Sequence, residues 1–466
     1  MITLFKANQT YTFDQLGSYL AEQLQGLPAK VSVIGQINKI FRFEFLCEPM
    51  DPLSWLNNQK ADTKIYWSNR DHSCEVAGIH TADSIKEEGN INTTKLFEYF
   101  EDHLSEDNRH LRFYGGMAFD PSSLVREWQA LGTCRFIVPR FEIFRSGNST
   151  AFAVNVRIDD ITEEKIKPLV EELRAIDFSF ETSYIKPPPR VQSRNDFPDK
   201  KAWTKIFDQL LDAEGNIRFE KIVLARKSLL NFDRNINPVA LIKHLKDMTP
   251  QCYHFCFQTG PSHAFLGASP ERLYKKTGTR LESEALAGTN PRGKTEQEDL
   301  ALENELLRST KNGREHRFVV DNIKNIFQEL CSRTEMDKTL KLLKLNSWQH
   351  LITQFKGVLK DKIMHEDIIA ALHPTAATCG CPKVEALKTI QKLEPFNRGW
   401  YAGPVGCVGY NDSEFAVAIR SGLVESNTLS LYAGAGIVAE STADQEWDEI
   451  ENKISNFLSV FALGET

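Results

Sequence analysis

The chain has 466 residues and a mass of 53.0 kDa, with 41% hydrophobic and 26% charged residues and a formal net charge of −7. That composition excludes wholesale disorder, and an acidic balance argues against a nucleic-acid partner, whose phosphates call for a basic face. Nine cysteines without repeating spacing argue against a disulfide framework, and no run approaches the ~18 apolar residues of a membrane span. Met1 to Gln9 show no basic stretch followed by an apolar one, so the expectation is a soluble, cytoplasmic protein with reduced thiols.

Short strand-like runs come first, such as Val31 to Gly35 and Ala151 to Arg157, the second followed by a charged helical segment from Thr162 to Ala175. Ser183 to Arg190 is proline-rich and extended, and the polar stretch Gln192 to Lys201 continues it, which places a soft boundary there. Beyond it the pattern predicts a helix over Lys201 to Ala213, a strand over Lys221 to Leu229 and a helix around Pro238 to Lys246. Strands at Tyr253 to Phe257 and Ala264 to Gly267 follow. Long helical stretches cover Thr295 to Leu330 and Ala443 to Phe461, with glycine-rich strand ends at 402–410 and 433–436. Strands succeed one another without regular crossover helices. That predicts an α+β class, with large antiparallel sheets and helices packed outside.

The C-terminal helix is the most legible element. Thr442 and Gln445 fit a capping box, and Trp447, Ile450, Ile454, Phe457, Leu458 and Phe461 form an apolar stripe. Glu446, Glu449 and Lys453 share a face that borders this stripe, so two carboxylates and an ammonium sit at the edge of the core. They read either as an acidic first turn favoured by the helix dipole or as a binding edge. Glu315, just ahead of Phe318, Val319 and Val320, reads as surface charge or as a carboxylate facing a cleft. Carboxylates from two helices would suit Mg²⁺, a hard ion that prefers oxygen.

Lys221 shares a strand face with Val223 and Ala225. It is either a protective charge at a strand edge or a desolvated lysine whose pKa falls until it can act as a base. Ser269-Pro270-Glu271 reads as a helix start or as a carboxylic acid at the mouth of a sheet. Cys252, His254 and Cys256 on one strand face, with Cys379-Gly380-Cys381, make a poor zinc pattern, and buried free thiols are the expectation. The glycines of Tyr432 to Val438 lack the third glycine of a dinucleotide fingerprint. On a strand, glycines let a ligand approach the backbone.

Taken in order, these pieces resemble the chorismate-utilising enzymes. They are Lys221 to Arg226, Gly267 to Leu273, Glu284 to Thr289, Lys311 to His316, Leu372 to Thr375, Arg398 to Pro404, Ala418 to Ser421 and Ala433 to Val438. Glu446-x-x-Glu449-x-x-x-Lys453 closes the series. The likeness spans roughly Trp203 to Leu458. Cys252-Tyr253-His254-Phe255, Asp51 to Leu56, Tyr66-Trp67 and Ala118 to Pro121 make it most similar to the menaquinone-pathway isochorismate synthases.

The resemblance implies an anthranilate synthase component I-like, chorismate-binding fold, with 1–190 as its variable N-terminal part and 198–460 as its catalytic region. It implies Mg²⁺-dependent conversion of chorismate to isochorismate, with water attacking C2 as the C4 hydroxyl leaves. Lys221 matches the family's general base and Glu271 its general acid. Glu315 and Glu449 match its Mg²⁺ ligands, with Glu446 beside the ion. Tyr401, Arg420, Lys453 and the Gly434 N–H match the groups that hold the enolpyruvyl carboxylate, and Thr289 and His373 match other pocket positions. Lys221 and Ala377 favour water over ammonia as nucleophile, so no glutaminase subunit is expected. The alternatives are a salicylate synthase, a siderophore-pathway isochorismate synthase, an amino-transferring relative or a non-catalytic Mg²⁺ or carboxylate-binding regulator.

Overall fold

Side chains that alternate between two faces build two sheets, one of twelve strands and one of ten. The computed structural model describes residues 13–28, 39–178, 188–346 and 348–462. The N-terminal residues, the expected strand at Val31 to Gly35 and residues 183–187 of the proline-rich connection lie outside these. Every pairing between the described strands is antiparallel, and helices cover the outer faces. Among the described residues no helix is long and apolar enough to cross a membrane.

The two sheets face each other. Tyr114, Cys407 and Ala416 of the smaller sheet share one core with Trp67, Val76 and Phe265 of the larger. Their strand neighbours Phe113, Val408 and Phe415 point the other way, into a second core closed by the helices Thr93–His103, Thr310–Leu330 and His365–Leu372. Strands buried on both faces read as apolar runs without polar alternation.

Segments from before and after the proline-rich stretch share both sheets. Thr63–Ser68 lies beside Tyr253–Gly260 in the larger, and Arg112–Met117 beside Pro404–Gly409 in the smaller. The polar stretch after the prolines differs from the expected connection. Val191–Phe197 is a strand paired with Lys221–Phe232, where its polar side chains suit an exposed flank.

Two further expectations change. The helical stretch from Thr295 to Leu330 is two helices, Glu296–Arg308 and Thr310–Leu330. Ser309 between them has extended backbone, and its hydroxyl accepts the Asn312 N–H at 3.2 Å, so a serine cap starts a new helix shortly ahead of Glu315. Nor does Ser269-Pro270-Glu271 start a helix. It carries the chain from His263–Ser269 in the larger sheet to Arg272–Thr277 in the smaller. The Ser269 hydroxyl donates to the Val417 carbonyl at 2.6 Å and accepts the Glu271 N–H at 3.2 Å, which fixes this crossing.

The C-terminal helix, Ala443–Ala462, buries its predicted stripe, with Leu458 at the margin. Each such side chain contributes roughly 1.5–3 kcal/mol. Thr442 caps it by accepting the Gln445 N–H at 3.4 Å, and Trp203 Nε1 donates to Ala443 O at 2.9 Å. Arg226 ties the helix to the Lys221–Phe232 strand. Its guanidinium lies 4.0 Å over the Trp447 ring, and Nη2 donates to Glu451 at 2.7 Å. The helix that carries Glu446, Glu449 and Lys453 is thereby locked against the strand that carries Lys221.

Candidate active site

Where the two sheets diverge beneath the helices Thr310–Leu330 and Ala443–Ala462, they leave a cleft with about 790 Å³ of empty space, part of it open to solvent. Lys221, Glu271, Thr289, Glu315, Tyr401, Arg420, Gly434, Glu449 and Lys453 all line it. These nine residues come from eight separate segments of chain, a convergence that no local spacing could reveal. Two predicted residues stand apart. Glu446 is fully buried just behind the lining. His373 lies outside the lining altogether: its Nε2 meets the Phe119 carbonyl at 3.1 Å, and its ring packs edge-on against the Phe119 ring.

Lys221 begins its strand with its side chain 1% exposed, and Nζ donates to Glu315 Oε1 at 2.9 Å. The expected apolar surround is therefore corrected by one carboxylate from the facing helix. Gly380-Cys381 of the loop after His373 pairs with Lys221 and Ile222. A Cβ on Gly380, whose φ is +127°, would lie 2.4 Å from the Lys221 carbonyl, so glycine permits this strap. Next to Glu315, His316 points away, into the smaller sheet, where Nε2 meets Thr353 Oγ1 at 2.9 Å.

Glu271 is buried at the sheet-to-sheet crossing. Burial, then the nearby Glu284 carboxylate, pushes its pKa up to about 8, against the opposing pull of Lys221 and Lys453. It is a carboxylic acid able to hold its proton at neutral pH. Burial likewise pushes the Tyr401 phenol up to about 12, so it remains a neutral donor.

On the opposite wall, Lys453 Nζ donates to Glu449 Oε1 at 2.6 Å and to the Gly434 carbonyl at 2.9 Å. Arg420 Nη1 donates to the Lys453 carbonyl at 3.1 Å. Arg420 adopts φ +53°, a left-handed conformation that an arginine rarely takes, so the surrounding fold holds its side chain at the cleft. Arg420 and Lys453 give this wall a positive lining suited to a carboxylate-bearing ligand.

Sequence reasoning missed His350 and Asn312, which also line the cleft. His350 is the register partner of Thr289, and Thr289 Oγ1 lies 2.9 Å from its Nδ1. Burial, with Arg420 and Lys453 nearby, pushes its pKa down to about 3, so the ring is neutral; its buried Nε2 has no hydrogen-bond partner. Only the pairing register of Arg280–Pro291 with Trp348–Leu359 brings it to Thr289. The sequence carries no periodic signal for that.

Glu315, Glu446 and Glu449 meet the test of a hard cation differently from a preformed cage. Among the described residues no three His, Cys, Asp or Glu side chains converge on a common point as ligands. Instead each carboxylate holds a lysine: Lys221 on Glu315, Lys453 on Glu449 and Lys311 on Glu446, the last at 2.9 Å. The Lys311 ammonium feels all three carboxylates. Burial and then Glu449 push the Glu446 pKa up, while burial opposes and Lys453 chiefly causes the lowering at Glu449. Glu446 Oε2 is buried with no hydrogen-bond partner. An all-oxygen set of three carboxylates with one orphaned buried oxygen fits Mg²⁺, which keeps several waters and takes few protein ligands.

Glycine makes room for this arrangement. A Cβ on Gly436 would lie 2.7 Å from Glu315 Oε1 and 2.9 Å from Lys221 Cε. Both are the ends of flexible chains, so Gly436→Ala is expected to leave the melting temperature almost unchanged while displacing the pair and lowering turnover. Thermal melts beside steady-state rates check this; native turnover would show that the pair has slack.

The Chorismate binding enzyme family model matches residues 30–462. Isochorismate synthase 2, chloroplastic, of Arabidopsis thaliana is 36% identical over 363 residues. That alignment takes in 76% of this chain and 65% of the plant protein, just under two-thirds of its length. Isochorismate synthase MenF of Bacillus subtilis is 32% identical over 438 residues, 90% of this chain and 92% of that one. The solved structure of MenF, the menaquinone-specific isochorismate synthase from Escherichia coli, superposes with a TM-score of 0.80 at 28% identity, covering 95% of this chain and 99% of that one.

Proposed function

The chain belongs to the chorismate binding enzyme family, and from that premise we propose that it is an isochorismate synthase that serves menaquinone biosynthesis. The observation that carries this reading is one cleft in which Lys221 and the buried carboxyl of Glu271 share a space lined by Arg420 and Lys453. Exchange of a hydroxyl group needs both a base for water and an acid for the departing hydroxide.

In this reading Lys221 Nζ takes a proton from the water that attacks C2 of chorismate. The Glu271 carboxyl gives its proton to the C4 oxygen as it leaves. The ring double bonds shift between these two events, so no net proton is consumed. Arg420 and Lys453 bind the enolpyruvyl carboxylate, and the Tyr401 hydroxyl is a further donor to it. Thr289 and His350 close the side of the cleft beside Glu271's strand crossing. Glu315, Glu449 and Glu446 would hold Mg²⁺, which supplies charge neutralisation for the substrate's ring carboxylate when bound. Water as nucleophile requires no ammonia-delivering subunit.

Incubation with chorismate and Mg²⁺, followed by chromatography, is expected to yield isochorismate without pyruvate. Pyruvate release would reassign the protein as a salicylate synthase. Removal of divalent ions by a chelator is expected to abolish turnover, with recovery on adding Mg²⁺. Full turnover after chelation would overturn the proposed ion.

A further inference from the structure

We propose that Arg70 is a positioning residue that fixes the Glu271 carboxyl in the cleft by clamping the backbone on both sides of it. The inference rests on the reading of Glu271 as the acid. Arg70 follows the strand Thr63–Ser68, far from every motif of the cleft in sequence. Its Nη1 donates to the Pro270 carbonyl at 2.8 Å and to Glu284 Oε1 at 2.6 Å, and its Nη2 donates to Glu284 Oε2 at 2.8 Å. Glu284 Oε1 also accepts the Arg272 N–H at 3.0 Å. The residues before and after Glu271 are therefore held by one bidentate ion pair, a geometry that only a guanidinium fork provides. A short lysine contact could not reach all three oxygens.

The same pair sets the field at Glu271. The charged and titratable groups that face this carboxyl are Glu284, Lys221, Lys453 and Tyr401, with Arg70 and Arg272 behind Glu284. Glu284 is itself buried, and Arg70 neutralises it. Without Arg70, a bare carboxylate would stand beside Glu271 and hold the Glu271 proton more tightly. The corner would also lose its anchor at Pro270. Loss of placement by about 1 Å costs on the order of 10²-fold in rate.

The test compares Arg70→Met, Arg70→Lys, Arg70→Met/Glu284→Gln and Glu271→Gln in the full chain with chorismate and Mg²⁺. Folding is checked by circular dichroism. Arg70→Met is expected to lower kcat about 10-fold or more. The KM for chorismate should stay within about threefold, because Arg420 and Lys453 still bind the substrate. Its high-pH limb should move upward, and the double variant should return the limb toward the native position. Arg70→Lys should keep the native limb and recover only part of kcat. Native kcat in folded Arg70→Met, or a joint change in kcat and KM with an unmoved limb, would overturn the proposal. If Arg70→Met does not fold, Arg70→Lys decides it, since native kcat there would show that the fork is dispensable. An active Glu271→Gln enzyme would overturn the acid reading and this proposal with it. An inactive one beside unaltered Arg70 variants would overturn this proposal alone.

Discussion

Isochorismate formation is expected to fall by about 10²-fold or more in Lys221→Gln, the scale on which a general base contributes. The Nζ of Lys221 is buried at the start of its strand and touches Glu315. Glutamine nearly matches the length and keeps a donor toward Glu315, but its amide cannot take a proton from water. Chorismate binding should persist, because Arg420 and Lys453 approach from the other wall. Single-turnover formation of isochorismate, measured beside the binding of chorismate, separates the possibilities. Near-native turnover would reduce Lys221 to a counter-ion for Glu315. Lost binding would make it a substrate anchor.

Glu271→Gln is expected to lose turnover to a similar extent and yet to gain stability. In the folded chain this carboxyl holds its proton up to about pH 8, whereas an ordinary glutamate releases it near 4.5. The sign follows from proton linkage. Between those two values the folded state binds more protons than the unfolded state, so stability falls as pH rises across that window. Glutamine is neutral at every pH and escapes this penalty, which is on the order of a few kcal/mol at its full extent. Melts near pH 5 and near pH 9 should show the variant's advantage growing with pH. Native turnover, meanwhile, should decline as pH rises through about 8, when the acid loses its proton. A variant no more stable at the higher pH would mean that Glu271 is ionised in the fold.

The parts of this arrangement that local physics dictates were legible in the sequence. The stripe from Trp447 to Phe461 announced the last helix, and the spacing of Glu449 and Lys453 put them on one face, where they form an ion pair. The strand at Lys221 was readable from its apolar run. Features that depend on register between distant strands were not. His350 reaches the cleft because Trp348–Leu359 pairs with Arg280–Pro291 in one alignment, and a slip by one residue would turn it to the other face. Of the two readings open at Ser269-Pro270-Glu271, the crossing between sheets matches the carboxylic acid at the mouth of a sheet, since a serine and a following proline suit that crossing as well as a helix start. At Ser309 the poor helix formers Thr310, Asn312 and Gly313 are a weak local signal, and the cap geometry marks the end of one helix and the start of the next. His373 sits in a motif of the family, yet its ring is turned onto the Phe119 segment.

The interleaving of early and late strands has a consequence for biosynthesis. Gly116 finds its partner Val405 only after nearly 300 further residues have been made. At a ribosomal rate of about 5–20 residues per second, that partner arrives tens of seconds later. Thr63–Ser68 keeps an unpaired edge until Tyr253–Gly260 has been made, and Arg112–Met117 keeps one until Pro404–Gly409 has been made. The early strands can pair among themselves as they emerge, yet each set keeps one open edge whose shielding bears on the yield of folded protein.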